Sequence, residues 1–228
     1  MSKNIELSSL AQRKAQAKLR INEIFFSIQG ESTKVGLPTI FIRLTGCPLR
    51  CQYCDTEYAF YEGKKMRMSS ILNKIKKYST KYVTVTGGEP LAQKSCPKLL
   101  TKLCNFGYDV SLETSGAINV SNVDKRVKKI IDIKTPGSTE ENKNKFENLR
   151  YLTPRDEIKF VICDQFDYVW AKKNIIEKNM ANICEIIFSP AHESIKPKDL
   201  ANWILEDQLN VRMQVQLHKY LWGDQPGK

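Results

Sequence analysis

Short apolar runs alternating with helix-like stretches dominate the chain after its first twenty residues. Thr39–Leu44 (TIFIRL), Lys81–Thr86 (KYVTVT), Tyr108–Glu113 (YDVSLE), Lys129–Lys134 (KIIDIK), Glu157–Ile162 (EIKFVI), Glu185–Ser189 (EIIFS) and Val211–Leu217 (VRMQVQL) are rich in Val, Ile, Phe and Thr. Such runs read as strands. Between several of them the period changes. Ile71, Leu72 and Ile75 fall on one face of a stretch that Ser69 or Ser70 can cap and that reaches Tyr78. Pro97 can open a helix to Phe106, with Gly107 to close it. Asp164 can cap a helix reaching Asn179, and Pro197 can open Lys198–Asp207, with Leu200, Trp203 and Ile204 at core spacing.

This alternation predicts an α/β fold with a mostly parallel sheet and right-handed crossovers. Six or seven such units predict a partial parallel β/α barrel rather than a closed eightfold one. In that architecture the loops after the strands carry the chemistry. Those loops are Gly46–Asp55, Gly87–Pro90 and Glu113–Ser115. The expected organisation is a basic N-terminal arm, 1–20, followed by one domain, 21–228. No internal repeat or low-complexity segment interrupts it.

Composition narrows the class without naming a function. With 228 residues, 41% of them hydrophobic and 27% charged, the chain resembles an ordinary soluble globular protein. No apolar run approaches the ~20 residues of a membrane span. The start lacks a secretory apolar core and a marked cleavage site, which points to the cytoplasm. The net charge is +11, and residues 1–20 hold five basic residues against Glu6. No aromatic ladder interleaves that charge, so a lysine-rich solvated surface accounts for it and no nucleic acid is expected.

The seven cysteines are unevenly placed, with three in the eight residues Cys47–Cys54. That pattern fits a metal in a reducing compartment rather than a disulfide framework. Cys96, Cys104, Cys163 and Cys184 stand among apolar neighbours, as buried packing thiols do. Cys47-x3-Cys51-x2-Cys54 offers three thiolates on one loop, suited to a soft metal centre. A structural zinc wants four closed ligands, and only His192 and His218 are available as histidines. An iron–sulfur cube held by three cysteines would keep one iron open. Both readings stand on the cysteines alone.

The cysteine loop, with Tyr53 before its last thiol, resembles the signature of the radical S-adenosylmethionine superfamily. Thr86-Gly87-Gly88-Glu89-Pro90 resembles that superfamily's second motif, where glycine lets backbone approach the cofactor. Residues 21–57, Asp132–Pro136 (DIKTP), Asp156–Phe160 (DEIKF) and Gln216–Tyr220 (QLHKY) are similar to the 7-carboxy-7-deazaguanine synthases within it.

The resemblance implies a [4Fe–4S] cluster on Cys47, Cys51 and Cys54, with S-adenosylmethionine on the open iron. It implies ring contraction of 6-carboxy-5,6,7,8-tetrahydropterin to 7-carboxy-7-deazaguanine with loss of ammonia, on the route to queuosine. Ile28, Gln29, Gly30, Glu31, Arg43 and Thr86 match substrate-contacting positions, and Thr56 matches a Mg2+ ligand. Gly88, Glu89, Ser115, Asp132, Ile133, Lys134 and Ser189 match cofactor-contacting positions. A flavodoxin or ferredoxin donor and a homodimer are also implied. The sequence departs from the family where many members have Ser-Pro-Lys, here Asp132-Ile133-Lys134, and where many have glycine, here Ser32, which is expected to alter the turn after Glu31.

Two other readings compete. A glycyl-radical-enzyme activase shares the cysteine loop but would lack Gln29-Gly30-Glu31, Asp55-Thr56 and His218-Lys219-Tyr220. A basic zinc module binding nucleic acid would hold zinc and bind in a salt-sensitive way.

Overall fold

A computed structural model describes residues 17–223, 225 and 227. Nine strands among them form one sheet: β1 (Lys18–Ile28), β2 (Pro38–Leu44), β3 (Lys64–Arg67), β4 (Tyr82–Gly87), β5 (Asp109–Thr114), β6 (Lys128–Ile133), β7 (Glu157–Ile162), β8 (Glu185–Pro190) and β9 (Arg212–Met213). Their order is β3-β1-β2-β4-β5-β6-β7-β8-β9. From β2 through β9 every pairing is parallel, whereas β1 runs antiparallel to both β2 and β3. The sheet ends at β3 and β9, which do not pair with each other. This is the expected α/β partial barrel.

The helices α1 (Met68–Ile75), α2 (Cys96–Asn105), α3 (Gln165–Glu177) and α4 (Pro197–Glu206) precede a short terminal α5 (Leu217–Trp222). They bury Ile71, Leu72 and Ile75; Leu99, Leu100 and Leu103; Ala171 and Ile175; and Leu200 and Ile204. Alternate strand residues such as Ile40, Ile42, Leu44, Val83, Val85, Leu112 and Ile131 join the same core. Burying each large apolar side chain contributes about 1.5–3 kcal/mol, before the cost of ordering the chain. Asp164 caps α3 as its sequence suggests, accepting a hydrogen bond from the Asp167 N–H at 2.8 Å.

Several elements differ from expectation. β1 opens at Lys18, so the boundary expected at 20/21 falls inside a strand; residues 1–16 of the arm lie outside the described residues. Neither Ser69 nor Ser70 caps α1. The buried Met68 starts that helix, and Arg67 occupies the cap position. The crossovers over residues 115–127 and 134–156 contain no α-helix, only turns and short 3-10 segments. Most of the run Val211–Leu217 is not strand, because Leu217 already begins α5 and only Arg212–Met213 pair with β8.

The period-two alternation of strands positions the site. Ile40, Ile42 and Leu44 of β2 belong to the helix-covered core, while Phe41 and Arg43 line a cavity of about 950 Å³. The same alternation puts Thr86, Glu113, Ile130, Asp132, Lys159, Val161 and Ser189 on that cavity from β4, β5, β6, β7 and β8. Most of this inner row is polar, so the interior is a lined cavity rather than a packed centre.

Candidate active site

The cysteine loop is fastened beneath the cavity by backbone hydrogen bonds. The Gly46 N–H donates to Ala59 O and the Glu89 N–H to Gly46 O, each at 2.8 Å. Gly46 itself adopts φ +99°, which favours glycine. Cys47, Cys51 and Cys54 are unpaired, half-buried thiols on the cavity wall. Burial pushes the Cys47 thiol up and the Cys51 thiol up to about 11, with Lys134 opposing the shift. Among the described residues no three His, Cys, Asp or Glu side chains converge on a single metal ion. Three separate soft donors fit a polynuclear cluster, whose irons each take one thiolate.

β4 ends at Gly87, and Gly88, which follows it, lines the cavity. Glu89 does not, contrary to expectation. Its buried carboxylate accepts from Leu91 N (2.9 Å), Thr114 Oγ1 (2.9 Å), Ser115 N (2.7 Å) and Ser115 Oγ (2.6 Å). It therefore ties the loop after β4 to the end of β5 and sets Ser115 on the wall. Ile133 also departs from expectation: alternation turns its side chain into the core.

Asp132, Lys134 and Ser189 do line the cavity. Lys134 Nζ pairs with Asp132 Oδ2 at 2.8 Å and stands 5.7 Å from the Tyr53 ring centroid. Burial would lower the Lys134 pKa, but Asp132 and neighbouring acidic groups raise it well above its ordinary value. Asp132 Oδ1, Ser189 Oγ and Tyr53 OH are buried without a hydrogen-bond partner. Unsatisfied acceptors and hydroxyls beside a cavity suit a polar ligand with hydroxyl and amine groups, as S-adenosylmethionine has. On thiols, backbone glycine and orphaned polar atoms alike, the residues fit a cluster with that cofactor.

Ile28, Gln29, Gly30, Glu31, Arg43 and Thr86 line the same cavity. Gln29 Nε2 donates to Thr84 Oγ1 at 3.2 Å and to Glu113 Oε1 at 3.4 Å. Arg43 Nε donates to Glu23 Oε1 at 2.7 Å. Ser32 takes φ +68°, as glycine would, and its hydroxyl accepts from the Lys34 N–H at 3.1 Å.

Gly30 has no room for a side chain, since a β-carbon there would lie 2.1 Å from His218 Nδ1. The Leu217 N–H donates to Gly30 O at 3.0 Å, so the C-terminal segment closes over this turn. Thr56 also lines the cavity. It makes no capping bond to the following 3-10 turn, and its hydroxyl lies 3.9 Å from Cys54 Sγ.

Sequence reasoning gave no role to Glu113, Lys159 or Gln216. Glu31 is ion-paired with Lys159 and accepts from Gln216 Nε2 at 2.6 Å. Burial would raise the Glu31 carboxyl, but Lys159 and these bonds outweigh it and hold the pKa down at about 2. Burial pushes the Glu113 carboxyl up, and the nearby Glu31 charge adds to the effect. The available signal was period two: Glu113 and Lys159 are polar residues on the inward alternate of otherwise apolar strands.

Fold and site together define a radical S-adenosylmethionine enzyme, and residues 41–150 match the Radical SAM superfamily. The chain is 44% identical over 219 residues to the 7-carboxy-7-deazaguanine synthase of Koribacter versatilis, covering 90% of this chain and 97% of that one. It is also 44% identical to the synthase of Chlorobaculum tepidum, covering 91% and 96%. A crystal structure of QueE from Escherichia coli superposes with a TM-score of 0.73 at 23% identity, covering 88% of this chain and 95% of that one. Streptococcus suis SuiB bound to S-adenosylmethionine shares the fold at a TM-score of 0.55 and 16% identity, covering 75% of this chain and 48% of that one. The chain belongs to the 7-carboxy-7-deazaguanine synthase family of radical S-adenosylmethionine enzymes. Membership sets aside the activase and zinc-module readings. No helix among the described residues is long and apolar enough to cross a membrane.

Proposed function

We propose that the protein contracts the ring of 6-carboxy-5,6,7,8-tetrahydropterin to 7-carboxy-7-deazaguanine with loss of ammonia, in the cytoplasm, upstream of queuosine and related 7-deazapurines. One observation carries the reading: a single cavity is lined both by three unpaired thiols and by a polar carboxylate-, amide- and guanidinium-bearing row. When bound, the cluster and S-adenosylmethionine would supply the radical chemistry that activates the substrate at C6. The chain's own part is to bind, orient and exclude water.

Cys47, Cys51 and Cys54 hold the cluster. Gly88 offers close backbone to S-adenosylmethionine, while Ser115, Asp132, Lys134 and Ser189 orient its polar groups. Arg43 spends Nε on Glu23, leaving its outer nitrogens to clamp the substrate carboxylate. Gln29, Thr86 and Glu31 read the pterin edge, with Ile28 and Gly30 shaping the wall beside them. Glu113, whose pKa burial raises, can share a proton with a ring nitrogen. Thr56 supplies a hydroxyl to a Mg2+ that keeps several non-protein oxygens. Flavodoxin or ferredoxin delivers the electron, and the working form is a homodimer.

The test is anaerobic reconstitution with iron and sulfide, then incubation with S-adenosylmethionine, reductant, Mg2+ and the tetrahydropterin. 7-Carboxy-7-deazaguanine is expected, and it disappears in Cys51→Ala. Release of 5′-deoxyadenosine without that product would move the substrate elsewhere.

A further inference from the structure

Lys18 and Arg20 of β1 stand directly opposite Arg67 and Lys65 of β3 in an antiparallel pairing at the edge of the sheet. Between them Leu19 turns inward and is buried. Pleating therefore puts all four basic side chains on the same sheet face, away from the helix-covered core, and all four are exposed. Like charges directly opposite on neighbouring strands are destabilising. No ion pair relieves them among the described residues. The β1–β3 edge therefore keeps four like charges together on one exposed face.

This face is continuous with the cysteine loop. Arg20 Nη2 donates to Tyr61 O, and the Arg20 carbonyl accepts from the Thr45 N–H at 3.0 Å, two residues before Cys47. Tyr61 OH accepts from Arg50 Nη2 at 3.1 Å. Arg50, exposed between the first two cysteines, donates through Nη1 to Cys47 O at 2.9 Å and lies 4.3 Å from the Phe60 centroid. A fixed basic surface therefore runs from the sheet edge to the backbone of the first cysteine.

We infer that Lys18, Arg20, Lys65, Arg67 and Arg50 form the docking surface for an acidic one-electron carrier protein. The inference rests on the proposed function, in which a cluster on Cys47, Cys51 and Cys54 is reduced from outside. Electron transfer falls off steeply with distance, so the carrier must touch the face nearest the cluster. Charge complementarity then guides it there. In the step the carrier loses one electron and the cluster gains one; no bond is made or broken. A second copy of this chain would bring the same basic residues against themselves.

The test uses the reconstituted full chain, the double variant Lys65→Glu/Arg67→Glu and a purified acidic flavodoxin. Each new carboxylate would face Arg20 or Lys18, so the variant's thermal midpoint should hold or rise. Calorimetric titration at low ionic strength should show flavodoxin binding weakened at least about tenfold, with a shallower salt dependence. Flavodoxin-driven turnover should fall in parallel, while dithionite-driven turnover is unchanged. Unchanged flavodoxin affinity and turnover would overturn the docking surface. So would duplex RNA bound more tightly than flavodoxin and lost in the variant. Absence of product with dithionite in the unsubstituted chain would instead contradict the proposed function, and the titration would still decide the docking surface.

Discussion

Gly88 lies against Cys47 so closely that a β-carbon on it would stand 2.7 Å from Cys47 Cβ and 2.5 Å from Gly46 O. Neither side can give way freely, because Gly46 is bonded through its O to the Glu89 N–H and through its N–H to Ala59 O, while the Gly88 N–H bonds Leu44 O. Gly88→Ala must therefore displace the cysteine loop. Iron and sulfide retained per chain after reconstitution should fall at least severalfold. The stability loss read from urea unfolding should be about 1–3 kcal/mol, the usual cost of overpacking. Full cluster content in the variant would contradict the contact.

The Glu31–Lys159 pair predicts a pH-dependent stability. The Glu31 carboxyl is held at about 2, below its unfolded value, so its contribution is present above the ordinary carboxylate range and lost as pH falls towards that value. Lys159→Met leaves the half-buried Glu31 carboxylate without its cation, held by Gln216 alone. The loss at neutral pH should be about 1–3 kcal/mol, the range for an under-satisfied polar group. Burial then favours the protonated acid, so the deficit relative to the unsubstituted chain should narrow as pH falls. Urea unfolding at neutral and mildly acidic pH checks this; a deficit that widens with acid would contradict it.

Glu89→Gln replaces a four-donor acceptor by an amide whose NH2 group faces the Ser115 donors. The mismatch should cost about 1–3 kcal/mol. Equilibrium dialysis with the reconstituted variant should show weaker S-adenosylmethionine binding, because Ser115 loses its anchor. Unchanged binding would leave Glu89 a purely structural residue.

Thr56→Ala should leave the thermal midpoint nearly unchanged, since the Thr56 side chain caps nothing. The Mg2+ concentration for half-maximal turnover should rise, with turnover at saturating Mg2+ less affected. Mg2+ dependence identical to that of the unsubstituted chain would remove Thr56 as a ligand.

What the sequence made legible follows from the range of the signals. The parallel strands β2 and β4 to β8 are apolar enough to be read locally, and Asp164 marks the start of α3 by its own capping chemistry. The edge strand β3, KKMR, escaped because it contains one apolar residue, and only pairing with β1 makes it a strand. The cysteine loop was readable because its ligands are adjacent in sequence. Glu31 and Lys159 were not, since the pair is separated by 128 residues and exists only through the order of strands in the sheet. Glu89 was assigned to the cofactor from its motif. Its side chain turns instead to Ser115, a choice set by the neighbouring strand.

The most direct measurement follows a deuterium atom placed at C6 of 6-carboxy-5,6,7,8-tetrahydropterin. Deuterium is expected in 5′-deoxyadenosine and at no carbon of the 7-carboxy-7-deazaguanine formed, whose carboxyl-bearing ring carbon holds no hydrogen, with both products absent in Cys51→Ala. Product formed without any transfer of the label, or undiminished in Cys51→Ala, would contradict a radical site on the three-cysteine loop.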